Sequence, residues 1–176
     1  MTPILTEQGK NLLLGALAGK TITFTKVQLG NGTDQNSDVL TNPLITAPLT
    51  KISIGNDYVT LTAALSNGTV TTGFHATEVG FYAQDPDDGS DDPREILYAI
   101  GHEDVSTADY IPDKYSRILE MEYSALLFIG KAQNIAAAIN SSLVYATKQD
   151  FDNHTADRNN PHNVTKEQIG LGNVPN

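Results

Sequence analysis

The chain has no cysteine and no tryptophan. It can form no disulfide, zinc–thiolate centre or thiol nucleophile. The missing disulfides do not fix a compartment, because proteins assembled in a reducing cytoplasm need none. Positive charge is scarce: 11 Lys and Arg stand against 21 Asp and Glu, for a formal net charge of −10. The basic residues are scattered, which argues against nucleic acid as a partner, since binding a phosphate backbone needs clustered Lys and Arg. Solubility is the simpler use of the negative balance. Long apolar runs are absent too. The longest span five residues, as at Ala125-Leu126-Leu127-Phe128-Ile129, against ~20 for a membrane crossing. Lys10 followed by Leu12 to Ala18 imitates a signal peptide, but Glu7 sits where a basic region belongs, and a first amphipathic helix explains the stretch better. No nucleophile elbow, His-Glu-x-x-His helix or phosphate loop is present. Gly30-Asn31-Gly32 follows a strand pattern but leads into a polar stretch, so it cannot set a helix N-terminus on a phosphate. Neither enzymatic activity nor a cofactor is expected.

What is present reads as β structure behind one short helix. Thr2-Pro3 suits a helix start, with Leu5, Leu12, Leu13, Ala16 and Leu17 on one side and Gly19 as the stop. Thr21 to Leu29 is a strand whose alternation breaks at Lys26, as at a bulge. Asn31 to Pro48 is polar and turn-rich and reads as a long loop. Leu49–Ile54 and Tyr58–Leu65 are strands around Gly55-Asn56-Asp57. Asn67-Gly68 is a hairpin signal, with Val70 opening the returning strand. Glu78–Ala83 and Ile96–Ile100 pair across an acidic loop, and Arg117–Ile129 is a long strand. Ala132–Ile139 is alanine-rich, which favours helix, but its β surroundings and alternation favour a strand. After Ser141-Ser142 the character changes. Thr147, with Asp150 three positions on, can cap a helix over about 147–158, which Asn160-Pro161 ends. The fold class expected is α+β: a short N-terminal helix with an antiparallel β-sheet or sandwich domain over residues 1–142, then a C-terminal helical and extended shaft segment over 143–176.

Two stretches resemble known phage families. Leu5-Thr6-Glu7-Gln8-Gly9-Lys10, Ile22-Thr23-Phe24-Thr25-Lys26-Val27-Gln28-Leu29-Gly30-Asn31-Gly32, Glu78-Val79-Gly80-Phe81-Tyr82-Ala83, Ile96-Leu97-Tyr98-Ala99 and Leu143-Val144-Tyr145-Ala146-Thr147 follow in the order of the N-terminal domain of phage tail-collar fibre proteins, which residues 1–142 resemble. His154 through Asn176, with Asn160-Pro161-His162, Val164-Thr165 and Gln168-Ile169-Gly170-Leu171-Gly172-Asn173-Val174, resembles the tail-fibre repeat. The resemblance implies a homotrimeric virion fibre, in the tail of the particle, whose N-terminal domain docks on baseplate proteins. Contact with the host surface then falls to a distal region. Because Val174-Pro175-Asn176 stands inside the repeat pattern, the shaft is expected to continue past it. Alternatives are a carbohydrate-binding β-module that touches the host directly, for which only Tyr and Phe are available as platforms, and the equivalent fibre of a phage-tail-like bacteriocin. An enzyme carried by the fibre would sit in a distal part.

Few residues suggest a site. Phe151, Val164, Ile169, Leu171 and Val174 are apolar groups too sparse to bury within one chain, and they are expected as trimer contacts. His154 and His162 are weak metal candidates. Three chains would supply six imidazoles around a three-fold axis, but no His-x-His pair is present, Pro161 separates the two, and turn and capping roles are simpler. The loop Asp85 to Asp92 could take Ca²⁺ but lacks EF-hand spacing, and a solvated hairpin tip accounts for it. Glu120 and Glu122 share one strand face, which exposed alternation explains. His75 and His102 have no partner that the sequence identifies. The loop 31–48 is the expected baseplate contact, since long loops in compact domains often carry function.

Overall fold

In this computed structural model, residues 1–91, 93–140, 148–157, 159, 162, 164–165, 168–171 and 173 are described, with the backbone alone for 148–151. The chain divides into two compact units, Met1–Leu143 and Val144–Asn176.

The first unit is mostly antiparallel β-structure, so the fold is β-dominated rather than evenly mixed. Its elements are β1 (Ile4–Leu5), α1 (Glu7–Leu17), β2 (Ile22–Gly30), β3 (Pro43–Ile54), β4 (Tyr58–Ser66), β5 (Phe74–His75), β6 (Glu78–Gln84), β7 (Glu95–His102), β8 (Tyr110–Ile111), β9 (Glu120–Phe128) and β10 (Ile135–Ala137). Among the described residues, eight strands form one sheet in the order β1-β7-β6-β2-β3-β4-β9, with β10 added beside β2. It curls into a half-barrel instead of forming a sandwich. The small pair β5–β8 stands apart.

The helix starts later than Thr2-Pro3 suggests. Ile4 and Leu5 pair with Ile100 and Ala99 of β7, and Thr6 is the N-cap, its Oγ1 accepting from the Gly9 N–H at 2.9 Å. Two apolar residues gain more from a sheet edge than from a first helical turn, and Thr6 fills the cap that Thr2 cannot. The Thr6 N–H also donates to the Tyr98 carbonyl at 3.1 Å, which seats α1 on β7. Gly9, Leu12, Leu13 and Ala16 face the core. Gly19, at φ +101°, takes the left-handed conformation that ends the helix.

β2 is the centre of the sheet. Its N-terminal residues Ile22–Phe24 run parallel to β10, and its C-terminal half pairs antiparallel with β3. The register against β6 shifts between Phe24 and Lys26, so the bulge falls where the alternation breaks. β3 changes partners midway. Lys26 lies opposite Pro48, and from Leu49 onward the strand pairs with β4. β10 lodges in this fork. Ile22 N–H donates to the Asn134 carbonyl at 3.0 Å, Ala138 N–H to the Phe24 carbonyl at 2.7 Å, and Asn140 N–H to the Leu49 carbonyl at 2.9 Å. The strand reading of Ala132–Ile139 thus holds for its middle, and three long-range bonds outweigh the helical preference of alanine.

Two readings are corrected. Asn31–Pro48 is not all loop, because β3 begins at Pro43. Of the prolines there, Pro43 opens the strand and Pro48 stands at its change of partner, positions where a missing N–H is tolerated. Asn67-Gly68 makes no hairpin turn, and no strand begins at Val70. A type I′ turn needs positive φ at both central residues, and Gly68 is not among the glycines that have it. Asn67 is fully buried. Its amide donates to the carbonyls of Pro112 at 2.9 Å and Arg117 at 2.6 Å, and its side-chain oxygen accepts from Leu119 N–H at 2.8 Å. A local turn remains, with Val70 N–H donating to the Asn67 carbonyl at 2.9 Å, but it joins no hairpin, and β4 pairs with β9 instead.

The core gathers Leu12, Leu13, Phe24, Val27, Leu49, Leu61, Phe81, Tyr98, Leu127 and Ile129. Phe24 and Tyr98 meet edge to face at 5.1 Å.

The second unit contains α2 (Lys148–Ala156). Its expected cap, Thr147, lies outside the described residues, as do Asn160 and Pro161. No helix of the described residues is long and apolar enough to cross a membrane.

Candidate functional site

The candidate attachment loop is now residues 31–42, and it is pinned from below. Glu78 opens β6 with its side chain fully buried. Its carboxylate accepts the N–H groups of Thr41 at 2.9 Å and Asn42 at 2.7 Å, and the Thr41 hydroxyl at 3.2 Å. A side chain at Gly30 or Gly32 would collide with this carboxylate, so those glycines make room for it. Within the loop, Asp34 Oδ1 accepts from Asn36 N–H at 3.0 Å, and Asn42 donates from its side chain to that of Asn31 at 2.6 Å. His102 anchors the far side. Its Nε2 lies 3.1 Å from the Ser37 carbonyl and acts there as donor. Its Nδ1 is buried without a hydrogen-bond partner. Sequence reasoning missed Glu78. The signal was one carboxylate heading an otherwise apolar strand downstream of Gly-Asn-Gly.

The acidic loop 85–92 is a braced hairpin tip between β6 and β7, and Asp92 lies outside the described residues. Arg94 Nη2 donates to Asp85 at 2.8 Å, Arg94 N–H to Asp88 at 2.6 Å, and Lys20 pairs with Asp87 at 2.6 Å. The bond from Arg94 holds the Asp85 carboxyl below its ordinary range, helped by the Asp87 N–H. Three of its carboxylates are therefore already engaged by protein donors.

His154 and His162 do meet, although Pro161 separates them in sequence. Their rings contact edge to face with centroids 4.9 Å apart. Two imidazoles supply half of the four donors a tetrahedral metal needs, and no group of three His, Asp or Glu gathers among the described residues. His75 is tied instead to structure, its Nδ1 3.0 Å from the Ala108 carbonyl.

Thr165 N–H donates to the Gln168 side-chain oxygen at 2.9 Å, and Gln168 N–H donates to Thr165 Oγ1 at 3.4 Å, a reciprocal capping box. Ile169 N–H donates to the Thr165 carbonyl at 3.4 Å, and Gly170 takes the left-handed φ of +76°. Val164, Ile169 and Leu171 are about half exposed in the single chain. The side chain of Phe151, and Val174 altogether, lie outside the described residues.

A further feature went unread in the sequence. β9 ends the sheet, its outer face carrying Glu120, Glu122, Ser124, Leu126 and Phe128, all exposed. Phe128 meets Tyr58 edge to face at 5.7 Å.

No protein-family model, curated protein or solved structure matches the chain.

Proposed function

We propose that this chain is the base of a phage tail fibre: a structural virion component whose first unit attaches to the tail baseplate and whose second unit begins a homotrimeric shaft. The observation that carries the reading is the repeat sequence from Asn160-Pro161-His162 to Gly170-Leu171, set behind a domain whose motifs resemble tail-collar fibre proteins in order. Two structural features support it. Val164, Ile169 and Leu171 stand exposed at 45%, 58% and 47%, as expected of groups that neighbouring chains cover. The loop 31–42 is preorganised by a buried carboxylate, as suits a docking loop. Host recognition is assigned to other parts of the fibre. The test is light scattering on residues 1–176 at micromolar concentration, joined to electron microscopy of particles decorated with antibody against the first unit. A trimer and label at the baseplate are expected. A monomer, or label at the fibre tip, overturns the reading.

A further inference from the structure

The open edge of β9 has a defined pattern of backbone groups. Ile129 N–H donates to the Asp57 carbonyl at 2.8 Å at one end, and Asn67 N–H to the Leu119 carbonyl at 3.2 Å at the other. The register between β4 and β9 is unbroken over the whole strand. Odd-numbered residues of β9 therefore bond to β4, and even-numbered residues turn their N–H and C=O groups away from it. At the C-terminal end, the Phe128 carbonyl is taken by the Tyr98 hydroxyl at 2.6 Å. The outward groups of Glu120, Glu122, Ser124 and Leu126 face no further strand among the described residues. The opposite edge of the sheet is occupied, since β1 and Thr6 cover β7.

We propose that β9 is a docking edge for an extended segment of another protein, which adds antiparallel as a ninth strand. The segment carries an apolar residue opposite Leu126 and Lys or Arg opposite Glu122 and Glu120. Main-chain bonds to the even-numbered residues give the affinity, and the alternate side chains give the choice of partner. The side chain opposite Leu126, 57% exposed, would extend the apolar patch that Phe128 and Tyr58 begin. On the inner face, Met121 is 48% exposed and would be covered by the same strand.

Charge selects the occupant. A second copy paired antiparallel about Ser124 would set Glu122 against Leu126 and Glu120 against Phe128, leaving both carboxylates unmatched. A parallel copy in register would stack Glu on Glu, which is unfavourable. Charged residues on an edge strand bar wrong pairings. Here they occupy one half of the edge and leave the apolar half uncovered, so they bar a like strand and admit a basic one. The inference does not depend on the fibre reading.

The probe is a capped, fluorescein-labelled heptapeptide, Leu-Val-Thr-Ile-Lys-Val-Lys, with the two lysines changed to glutamate as control. Fluorescence anisotropy on the full chain is expected to show saturable binding of the lysine peptide, weaker in high salt, and at least about tenfold weaker binding of the glutamate peptide. The double variant Glu120→Lys, Glu122→Lys reverses the preference. Ser124→Pro removes one outward N–H and leaves the backbone bonds to β4 in place, with loss of the side-chain bond between the Ser124 and Thr62 hydroxyls at 2.9 Å, and it abolishes binding. Amide exchange at Glu122, Ser124 and Leu126 slows when the lysine peptide is added. If Ser124→Pro fails to fold, the charge reversal and the exchange decide. Equal binding of both peptides, no binding to the native chain, or unchanged binding by the variants overturns the proposal. So does a self-associated state in which the second copy occupies β9.

Discussion

Tyr98 shows how one polar atom on a core side chain can close a sheet. Its ring is fully buried against Phe24, and its hydroxyl holds the last carbonyl of β9. Burial pushes the hydroxyl well above its ordinary pKa. Tyr82 and Tyr123 shift the same way, also chiefly by burial. A proton held more tightly in the folded state stabilises fully below the unfolded tyrosine pKa of about 10, and the contribution fades as pH rises beyond it. Urea midpoints are therefore expected to fall above about pH 10. Tyr98→Phe should flatten that fall while costing about 1 kcal/mol at neutral pH for the bond it removes. Glu78 is the second residue of this kind. Glu78→Ala strips the partners from two N–H groups of the 31–42 loop, at roughly 1–3 kcal/mol each. Faster amide exchange at Thr41 and Asn42, with the β2–β6 ladder unchanged, would show the clamp to be local. Unaltered exchange there would refute it.

At the scale of elements, junctions are set by single caps and single contacts. Thr6 ends β1, caps α1 and bonds to β7 at once. Thr6→Ala is expected to cost about 1 kcal/mol and Thr6→Ser much less, read as shifts in the thermal midpoint at roughly 2–4 °C per kcal/mol. Gly9 lets the helix lie on the strand, since a Cβ there would run into the Tyr98 carbonyl. Gly9→Ala should cost about 1–3 kcal/mol through overpacking, whereas the helical propensity of alanine alone would make it stabilising. The sign of the measured change separates the two effects. β10 is the converse case. Three alanines form a strand or its border because the fork between β2 and β3 offers backbone partners.

At the scale of the molecule, the proposed trimer rests on side chains that a single copy leaves in solvent. A fully buried Ile or Leu contributes roughly 1.5–3 kcal/mol, so three copies of Ile169 and Leu171 on one axis can offset the ordering entropy of the segment. Ile169→Asp with Leu171→Asp should lower the mass seen by light scattering and open the segment to protease, with the melting of the first unit unchanged. Full protease resistance in the double variant would rule out a trimer-buried shaft.

Sequence alone determined the parts governed by local chemistry. The patterns over Ile22–Leu29, Glu78–Ala83 and Ile96–Ile100 placed strands that the structure contains, and the break at Lys26 placed a bulge. It misjudged what depends on distant partners. Asn31–Pro48 reads as all loop, whereas pairing with β2 makes its last part the start of β3. Asn67-Gly68 reads as a hairpin, but its turn leads into no returning strand, and the carbonyls of Pro112 and Arg117 hold the Asn67 amide. Thr2 read as a cap until β7 was found to hold Ile4 and Leu5. The exposed edge of β9 and the buried Glu78 clamp were likewise decided only by the tertiary structure. A strand's side-chain pattern records which face is buried, but hydrogen bonds along its edges are made by backbone atoms that every residue except proline carries alike.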